Sequence, residues 1–343
     1  MTRPSFPDTK TETSVLMVAR YFDPSYVGAN RALHLQRLLD SHGIHSRRLY
    51  GREGESVKSF SARAWKETLI SDEPVVFVSC GPFNYLFPVV VAATLRGKKI
   101  IVDLRDPWSF NLVPRTWKGR LSLLRARFVE KMAYRFCALF VVCTPGMEEL
   151  YGGLFKSRGK LRLVLNGYDF DPVEYASLPK KSGSDDERFV CMGKFFYYSA
   201  EKAKSILNLL EMRSARTGKK IELVLIGDET DRLEELRPSL PGLERVRLVS
   251  IGRLEYRSTL AYAAQSSGAV IIIRNEDFDF GTKIFDCIGL GLPVLDSFDH
   301  SKKFYSTFGD FCVPFDGEFA RRKPDARFHR DRQWGSSLAY FRP

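Results

Sequence analysis

The stretch "SVLMVARYFDPSYVGANRALHLQRLLDSHG", residues 14–43, carries three signals in order. Val15 to Ala19 is an unbroken apolar run, the composition of a strand buried on both faces. "YFDPSYVG" then supplies turn chemistry, and "GANRALHLQRLLDSHG" (28–43) reads as a helix stopped by Gly43. Strand, loop and helix in this order are the first half of a βαβ unit. "VVFVSC" (75–80) precedes an apolar helix running to 95, and "KIIVDLR" (99–105) precedes a long basic helix. "LFVVCTP" (139–145) is a further strand, so a parallel sheet with helices on its faces is expected.

"YDFDPVEYASLPKKSGSDDER" (168–188) has no sustained apolar period and reads as a linker. The alternation then restarts with strands at "FVCMG" (189–193), "IELVLIGD" (221–228), "VRLVSIG" (246–252), "GAVIII" (268–273) and "PVLD" (293–296). Helices are expected at about 200–216, 256–267 and 283–290, from the apolar spacing. The fold class is therefore α/β, with two Rossmann-like domains whose parallel sheets face a central cleft. The expected limits are 1–167 for the first domain, 168–187 for the linker and 188–320 for the second. Residues 321–343, with a helix over "FHRDRQWGSSLAYF" (328–341), are expected to pack back toward the first domain.

The 343 residues carry 53 Lys+Arg against 41 Asp+Glu, a net charge of +12. The excess is uneven: residues 1–160 hold 25 basic and 14 acidic side chains, the remainder 28 and 27. A basic first half points to an anionic partner, namely a phosphorylated substrate or an anionic membrane surface. No recognised nucleic-acid motif accompanies it, so nucleic acid is not expected. No apolar run approaches the roughly 20 residues of a membrane span. The six cysteines are scattered in apolar settings, which suggests buried thiols in a reducing compartment and a cytoplasmic protein. In "RTWKGRLSLLRARFVEKMAYRF" (115–136), Trp117, Leu121, Leu124, Phe128, Met132 and Phe136 recur at steps of three and four. That stripe is expected to face the core, its charged side being free to rest on anionic lipid.

Chemistry is expected at the strand ends. Gly28 would let backbone N–H groups approach a phosphate at a helix start; the dinucleotide spacing G-x-G-x-x-G is absent, which argues against NAD. "DLRDPW" (103–108) closes a strand with three ionisable groups, of which Arg105 and Asp106 are the catalytic candidates. In the second half Lys194, Lys202, Gly252, Gly281, Thr282 and Lys283 cluster at strand ends and helix starts, a set suited to a diphosphate. "DFD" (277–279) lacks the oxygen-rich surroundings of a Mg²⁺ site, and no metal or cofactor is expected.

Taken together, these stretches resemble glycosyltransferase family 4, retaining nucleotide-sugar transferases of GT-B architecture. The resemblance runs from about residue 14 to 320. It rests on the opening glycine loop and helix, "IIVDLRDPW", "LNGYD" (165–169), "IELVLIGD" and "FGTKIFDCIGLGLPVL". It implies transfer of a sugar from a nucleoside diphosphate sugar to a glycan or lipid-linked acceptor in surface polysaccharide biosynthesis, with retention at the anomeric carbon; the basic first half adds the expectation of peripheral attachment to the inner face of the cell membrane. In the family a glutamate at the start of the donor helix contacts the ribose; Asp286 stands there in this chain. The family's other glutamate falls on Phe278, with Glu276, Asp277 or Asp279 as substitutes, or the backbone N–H groups of Gly281 and Thr282 holding the sugar instead. Lys194 stands where the family has an arginine, and Lys202 best matches its lysine partner. A catalytically impaired nucleotide-sugar binder of the same fold, or a sugar-nucleotide epimerase, are the alternatives.

Overall fold

A computed structural model of the chain describes residues 13–22, 29–179, 186–227, 230–236, 238, 240 and 243–342. The chain divides into two compact units. One comprises residues 1–143, 147–164 and 334–343, the other 144–146 and 165–333.

The first unit is built on six parallel strands: β1 (Ser14–Ala19), β2 (His45–Leu49), β3 (Val75–Cys80), β4 (Lys99–Leu104), β5 (Leu139–Val142) and β6 (Leu161–Leu163), in the order 2-1-3-4-5-6. Helices α1 (Asn30–Ser41), α2 (Val57–Ile70), α3 (Leu86–Leu95), α4 (Trp108–Asn111), α5 (Trp117–Phe136) and α6 (Pro145–Phe155) connect them. Every residue of β3 is buried, as expected for a central parallel strand. Val15, Met17 and Ala19 meet Leu35, Leu38 and Leu39 of α1 in one core layer, which Trp334 and Phe341 complete from the far end of the chain.

That layer contains one buried ion pair. Asp103, fully buried on β4, accepts from Arg31 Nε at 3.0 Å and from Ser79 Oγ at 2.9 Å. Arg31 also donates to the Val164 carbonyl at 2.9 Å, and its guanidinium lies 4.9 Å from the Trp334 ring. Asp103 therefore joins the first turn of α1 to the sheet and is not one of the groups at the strand edge.

The second unit repeats the plan after α7 (Val173–Ala176). Its strands are β7 (Asp186–Met192), β8 (Lys220–Ile226), β9 (Val246–Ser250), β10 (Gly268–Ala269), β11 (Val294–Leu295) and β12 (Cys312–Val313), all parallel in the order 12-11-10-7-8-9. Alternate residues of β7 point into two cores. Phe189 and Cys191 meet Ala203, Ile206, Leu207 and Leu210 of α8 (Ala200–Thr217). Val190 and Met192 meet the layer formed by α10 (Tyr256–Ala264), α11 (Lys283–Gly289) and α12 (Lys303–Phe308). Helix α9 (Thr230–Leu236) follows β8, and α13 (Arg330–Gly335) lies near the C-terminus.

Three expectations change here. The segment from Tyr168 is not bare linker: Tyr168 and Tyr175 are buried in the second unit's core, and Tyr168 pairs with His329 as an isolated bridge. Residues 180–185 of the linker lie outside the described residues. The helix expected over 328–341 is broken, with α13 followed by a 3-10 turn at Leu338–Phe341, because Gly335 and two serines interrupt the pattern. Most consequentially, the apolar stripe of α5 does not face the core. Trp117, Leu121, Leu124 and Phe128 are 70%, 60%, 63% and 57% exposed, while Ala126, Val129, Glu130 and Ala133 form the buried face. Small residues let the helix sit close to its neighbours, and the large ones are left on the outside.

Candidate functional site

The strand order of the second sheet locates a site before any side chain is considered. From β7 the chain winds outward through β8 and β9 on one side, then returns to lay β10, β11 and β12 on the other. The order reverses between β7 and β10, and the carboxyl ends of strands at such a reversal are where open α/β sheets bind ligands.

Glycine marks the backbone at this edge. Gly193 follows β7, Gly227 follows β8 and Gly252 lies just beyond β9. The Gly193 N–H donates to Ile226 O at 2.7 Å and the Gly227 N–H to Gly252 O at 3.0 Å. A Cβ on Gly227 would stand 2.5 Å from the Gly193 carbonyl oxygen, so the two turns approach as closely as backbones can. Gly252 has φ +72° with open space around its Cα, a conformation that favours glycine.

Lys202, in the first turn of α8, crosses to the other side of the reversal. Its Nζ donates to Glu276 Oε1 at 2.5 Å and to the Ile273 carbonyl at 3.3 Å. Glu276 is buried and its second oxygen accepts from the Asp299 N–H at 2.9 Å. A tight turn presents it: Asn275 Oδ1 accepts from the N–H groups of Asp277 and Phe278, Asp279 N–H donates to Asn275 O, and Arg274 pairs with Asp279. Asp277 is held by Lys302 at 2.9 Å. Lys202, Ser205, Glu276, Ser297 and Phe298, with Ile206 and Ile271–Ile273, line a small recess of about 40 Å³.

The second cluster surrounds Asp286. Only 4% exposed inside α11, it accepts from the Tyr256 hydroxyl at 2.8 Å on Oδ1 and from Lys283 Nζ at 3.2 Å on Oδ2. Burial, then the Asp286 charge, push the Tyr256 phenol well above its ordinary pKa, so it remains a donor to the carboxylate. Gly281, at φ +66°, and Thr282 turn the chain into the helix. The motif "LNGYD" is held from far along the chain: Arg330 donates to Gly167 O at 2.7 Å and to Asp169 Oδ2 at 2.8 Å. A Cβ on Gly167 would meet the Arg330 backbone at 2.9 Å, which accounts for the glycine of that motif.

The remaining candidates stand as follows. Lys194 is exposed, its ammonium 3.5 Å from the centroid of the Tyr197 ring, with Tyr198 at 6.0 Å. Lys202 and Lys283 each sit on a separate carboxylate. Arg105 and Asp106 end β4 in the first unit; Arg105 donates to the carbonyls of Cys80 at 3.4 Å and Gly81 at 3.2 Å, and Asp106 is half-buried. Gly28 lies outside the described residues. Sequence reasoning missed Tyr256, Gly193 and Gly227. For the two glycines the signal was present, each standing directly behind an apolar strand; for Tyr256 no local pattern announces a partner 30 positions on. Among the described residues there is no group of three or more His, Cys, Asp or Glu side chains placed to hold a metal ion.

Two parallel six-stranded sheets, each interleaved with helices and each with a reversal in strand order, define two Rossmann-like units of the GT-B class. Solved structures of similar fold include a UDP-GlcNAc 2-epimerase, glycosyltransferases and a protein solved with UDP and glucose. The UDP-GlcNAc 2-epimerase of Methanocaldococcus jannaschii matches with a TM-score of 0.57 and 11% identity, over 95% of this chain and 99% of that one. The lipopolysaccharide outer core galactosyltransferase WaaB matches at 0.55 and 11% identity, over 82% and 80%. HepE of Anabaena, solved with UDP and glucose, matches at 0.53 and 15% identity, over 82% and 79%. At these identities the likeness is one of fold. No protein-family model matches the sequence, and no curated protein matches it.

Proposed function

We propose that the chain is a retaining glycosyltransferase that moves a sugar from a nucleoside diphosphate sugar to a glycan or lipid-linked acceptor in surface polysaccharide biosynthesis. The observation that carries the reading is the reversal between β7 and β10, where Gly193 ends β7 with bare backbone and Lys202, paired with Glu276, reaches the Ile273 carbonyl beyond β10. Bare backbone at a strand end admits a phosphate closely, and Lys202 offers it positive charge. Lys194 and Lys283 are the further cations for the diphosphate, and Asp286 the acceptor for the ribose hydroxyls. An ionised carboxylate offers about four lone-pair sites; Tyr256 and Lys283 take one each. Nucleotides carried by fold relatives, such as the UDP bound to HepE, support a uridine donor.

In the reaction the bond between the anomeric carbon and the diphosphate oxygen breaks as the acceptor oxygen bonds to that carbon from the same face. The acceptor's proton passes to the departing diphosphate. No protein nucleophile is needed, and what the protein supplies is positive charge where the leaving group gains negative charge. Arg105 and Asp106 are assigned to the acceptor side.

A second reading, a sugar-nucleotide epimerase, is favoured by the near-complete mutual coverage with the Methanocaldococcus enzyme. One experiment separates them. The protein is screened against nucleoside diphosphate sugars by thermal shift, and each stabilising donor is then incubated with it and followed by NMR. A transferase releases nucleoside diphosphate together with sugar of retained configuration, to water or to an added acceptor. An epimerase converts one sugar nucleotide to another with no net release of nucleotide. Absence of binding to every donor refutes both.

A further inference from the structure

Helix α5 exposes its large apolar residues, and their arrangement with charge is regular. At about 100° per residue, Trp117, Leu121, Leu124 and Phe128 fall within an arc of about 60°. Relative to Trp117, Lys118 and Arg125 lie about 80–100° to one side, and Lys131, Arg120 and Arg127 about 40–80° to the other; exposed Arg135, in the last turn, falls in line with Trp117 and ends the apolar strip there. The buried face, with Ala126, Val129, Glu130 and Ala133, is opposite. Glu130 is the one acid of the helix and is fully buried, so the outward face carries no negative charge of its own. Two neighbours widen the apolar strip: Phe87 of α3, its ring 6.4 Å from Phe128, and Val113 just before the helix, 76% exposed.

We infer that this face of α5 docks in the plane of an anionic lipid surface. Trp117, Leu121, Leu124 and Phe128 would enter the boundary between headgroups and acyl chains, and the basic rows on either side would meet the lipid phosphates. The cross-section of an interfacial helix has this form, with a narrow apolar wedge between cationic flanks. A helix that packs on protein instead has its polar face opposite the apolar one; here the opposite face is already used by the fold. Charge selects among occupants. A second copy of the chain docking face to face would bring two sets of five cations together, whereas anionic headgroups neutralise them. The inference needs nothing from the catalytic reading, since every residue in it lies in the first unit and none belongs to the candidate site.

Flotation of the full-length protein with lipid vesicles tests it. Vesicles of phosphatidylcholine mixed with phosphatidylglycerol should carry the protein upward, and phosphatidylcholine alone should not. Raising salt should release it, because headgroup attraction acts over about one Debye length, roughly 8 Å at physiological ionic strength. The double change Leu121→Glu with Leu124→Glu should abolish flotation. Both side chains are exposed, so the thermal unfolding midpoint should be unchanged, and that measurement accompanies the assay. Replacing Arg120 and Arg125 by Gln should weaken binding roughly 30-fold, at about 1 kcal/mol per cation near the surface. Equal binding to both vesicle types, binding to neither, or undiminished binding of the folded Leu121/Leu124 variant would overturn the inference. So would a lipid-free dimer that the same variant dissociates, since the face would then belong to a second copy.

Discussion

Asp286→Asn is the substitution on which the donor-site assignment turns. The side chain is nearly isosteric, so the variant changes charge and one acceptor while leaving volume alone. In the parent, the carboxylate accepts from Tyr256 at 2.8 Å and from Lys283 at 3.2 Å in an almost fully buried position. The amide can satisfy the same geometry if its oxygen faces Lys283 and its NH₂ donates to the Tyr256 oxygen. The Tyr256 bond thus reverses direction and changes from one with a charged acceptor, worth about 1.5–3 kcal/mol, to a neutral one, worth about 0.5–1.5. The Tyr256 contact should therefore weaken by about 1 kcal/mol. Lys283, partly solvated, adds less than that, because screening by water keeps exposed ion pairs to about 0–1 kcal/mol. Folding stability should fall by about 1–2 kcal/mol in total. Ribose binding to the free lone pairs would add a separate loss of about 1.5–3 kcal/mol in affinity for a nucleoside diphosphate, roughly 10- to 150-fold. Urea denaturation measures the first quantity and calorimetric titration with UDP the second. If stability falls as stated while affinity is unchanged, Asp286 is a purely structural acid that orients Tyr256 and Lys283, and the ribose lies elsewhere.

Two further outcomes follow from buried carboxylates in the first unit. Asp103→Ala leaves the Arg31 guanidinium buried without its counter-charge and should cost about 3–5 kcal/mol, the range for breaking a buried pair from one side; a loss below about 1 kcal/mol in urea denaturation would show that the pair is dispensable. Burial raises the pKa of Glu130, although Tyr151 OH and the Ser109 N–H both donate to its Oε1. A carboxyl with a raised folded pKa binds more protons folded than unfolded, so its contribution is greatest in acid and is lost as pH rises from the unfolded value toward the folded one. Glu130→Gln keeps an acceptor for both donors and removes that titration, so denaturation midpoints should fall less steeply with rising pH above the ordinary carboxyl range than in the parent. Parallel curves would contradict the assignment.

The central strands were legible because burial on both faces leaves only one kind of sequence. "SVLMVA", "VVFVSC" and "KIIVDL" are buried along almost their whole length. Edge strand β2, "HSRRL", was not read as a strand, since it pairs with β1 alone and four of its five side chains remain at least partly exposed. Helix α5 shows what periodicity leaves open. Spacing of three and four places large apolar residues on one face, but the side turned to the core is decided by which face fits, and here alanines fit. In the candidate site, the residues at strand ends could be picked out singly. Their pairings could not, because Lys202 and Glu276 are 74 positions apart and no local pattern couples them.

The discontinuity of the first unit has a consequence for how the chain is made. Its core layer is closed by Trp334 and Phe341, which reach Phe77 at ring-centroid distances of 6.0 and 5.9 Å, and Trp334 also covers the buried Arg31. Domains usually fold in order as they leave the ribosome, the N-terminal one first. In this chain the strands of the first sheet emerge early, yet the layer against α1 lacks its last two rings until some 170 later residues have been synthesised. The second unit, contiguous from Leu165 to Gln333 apart from a three-residue piece, can complete its own cores sooner. Of the two units, the one whose strands are synthesised earlier is thus the one that closes later, and a nascent chain stalled before Trp334 would present the ribosome-proximal machinery with an open hydrophobic layer and an uncovered Arg31.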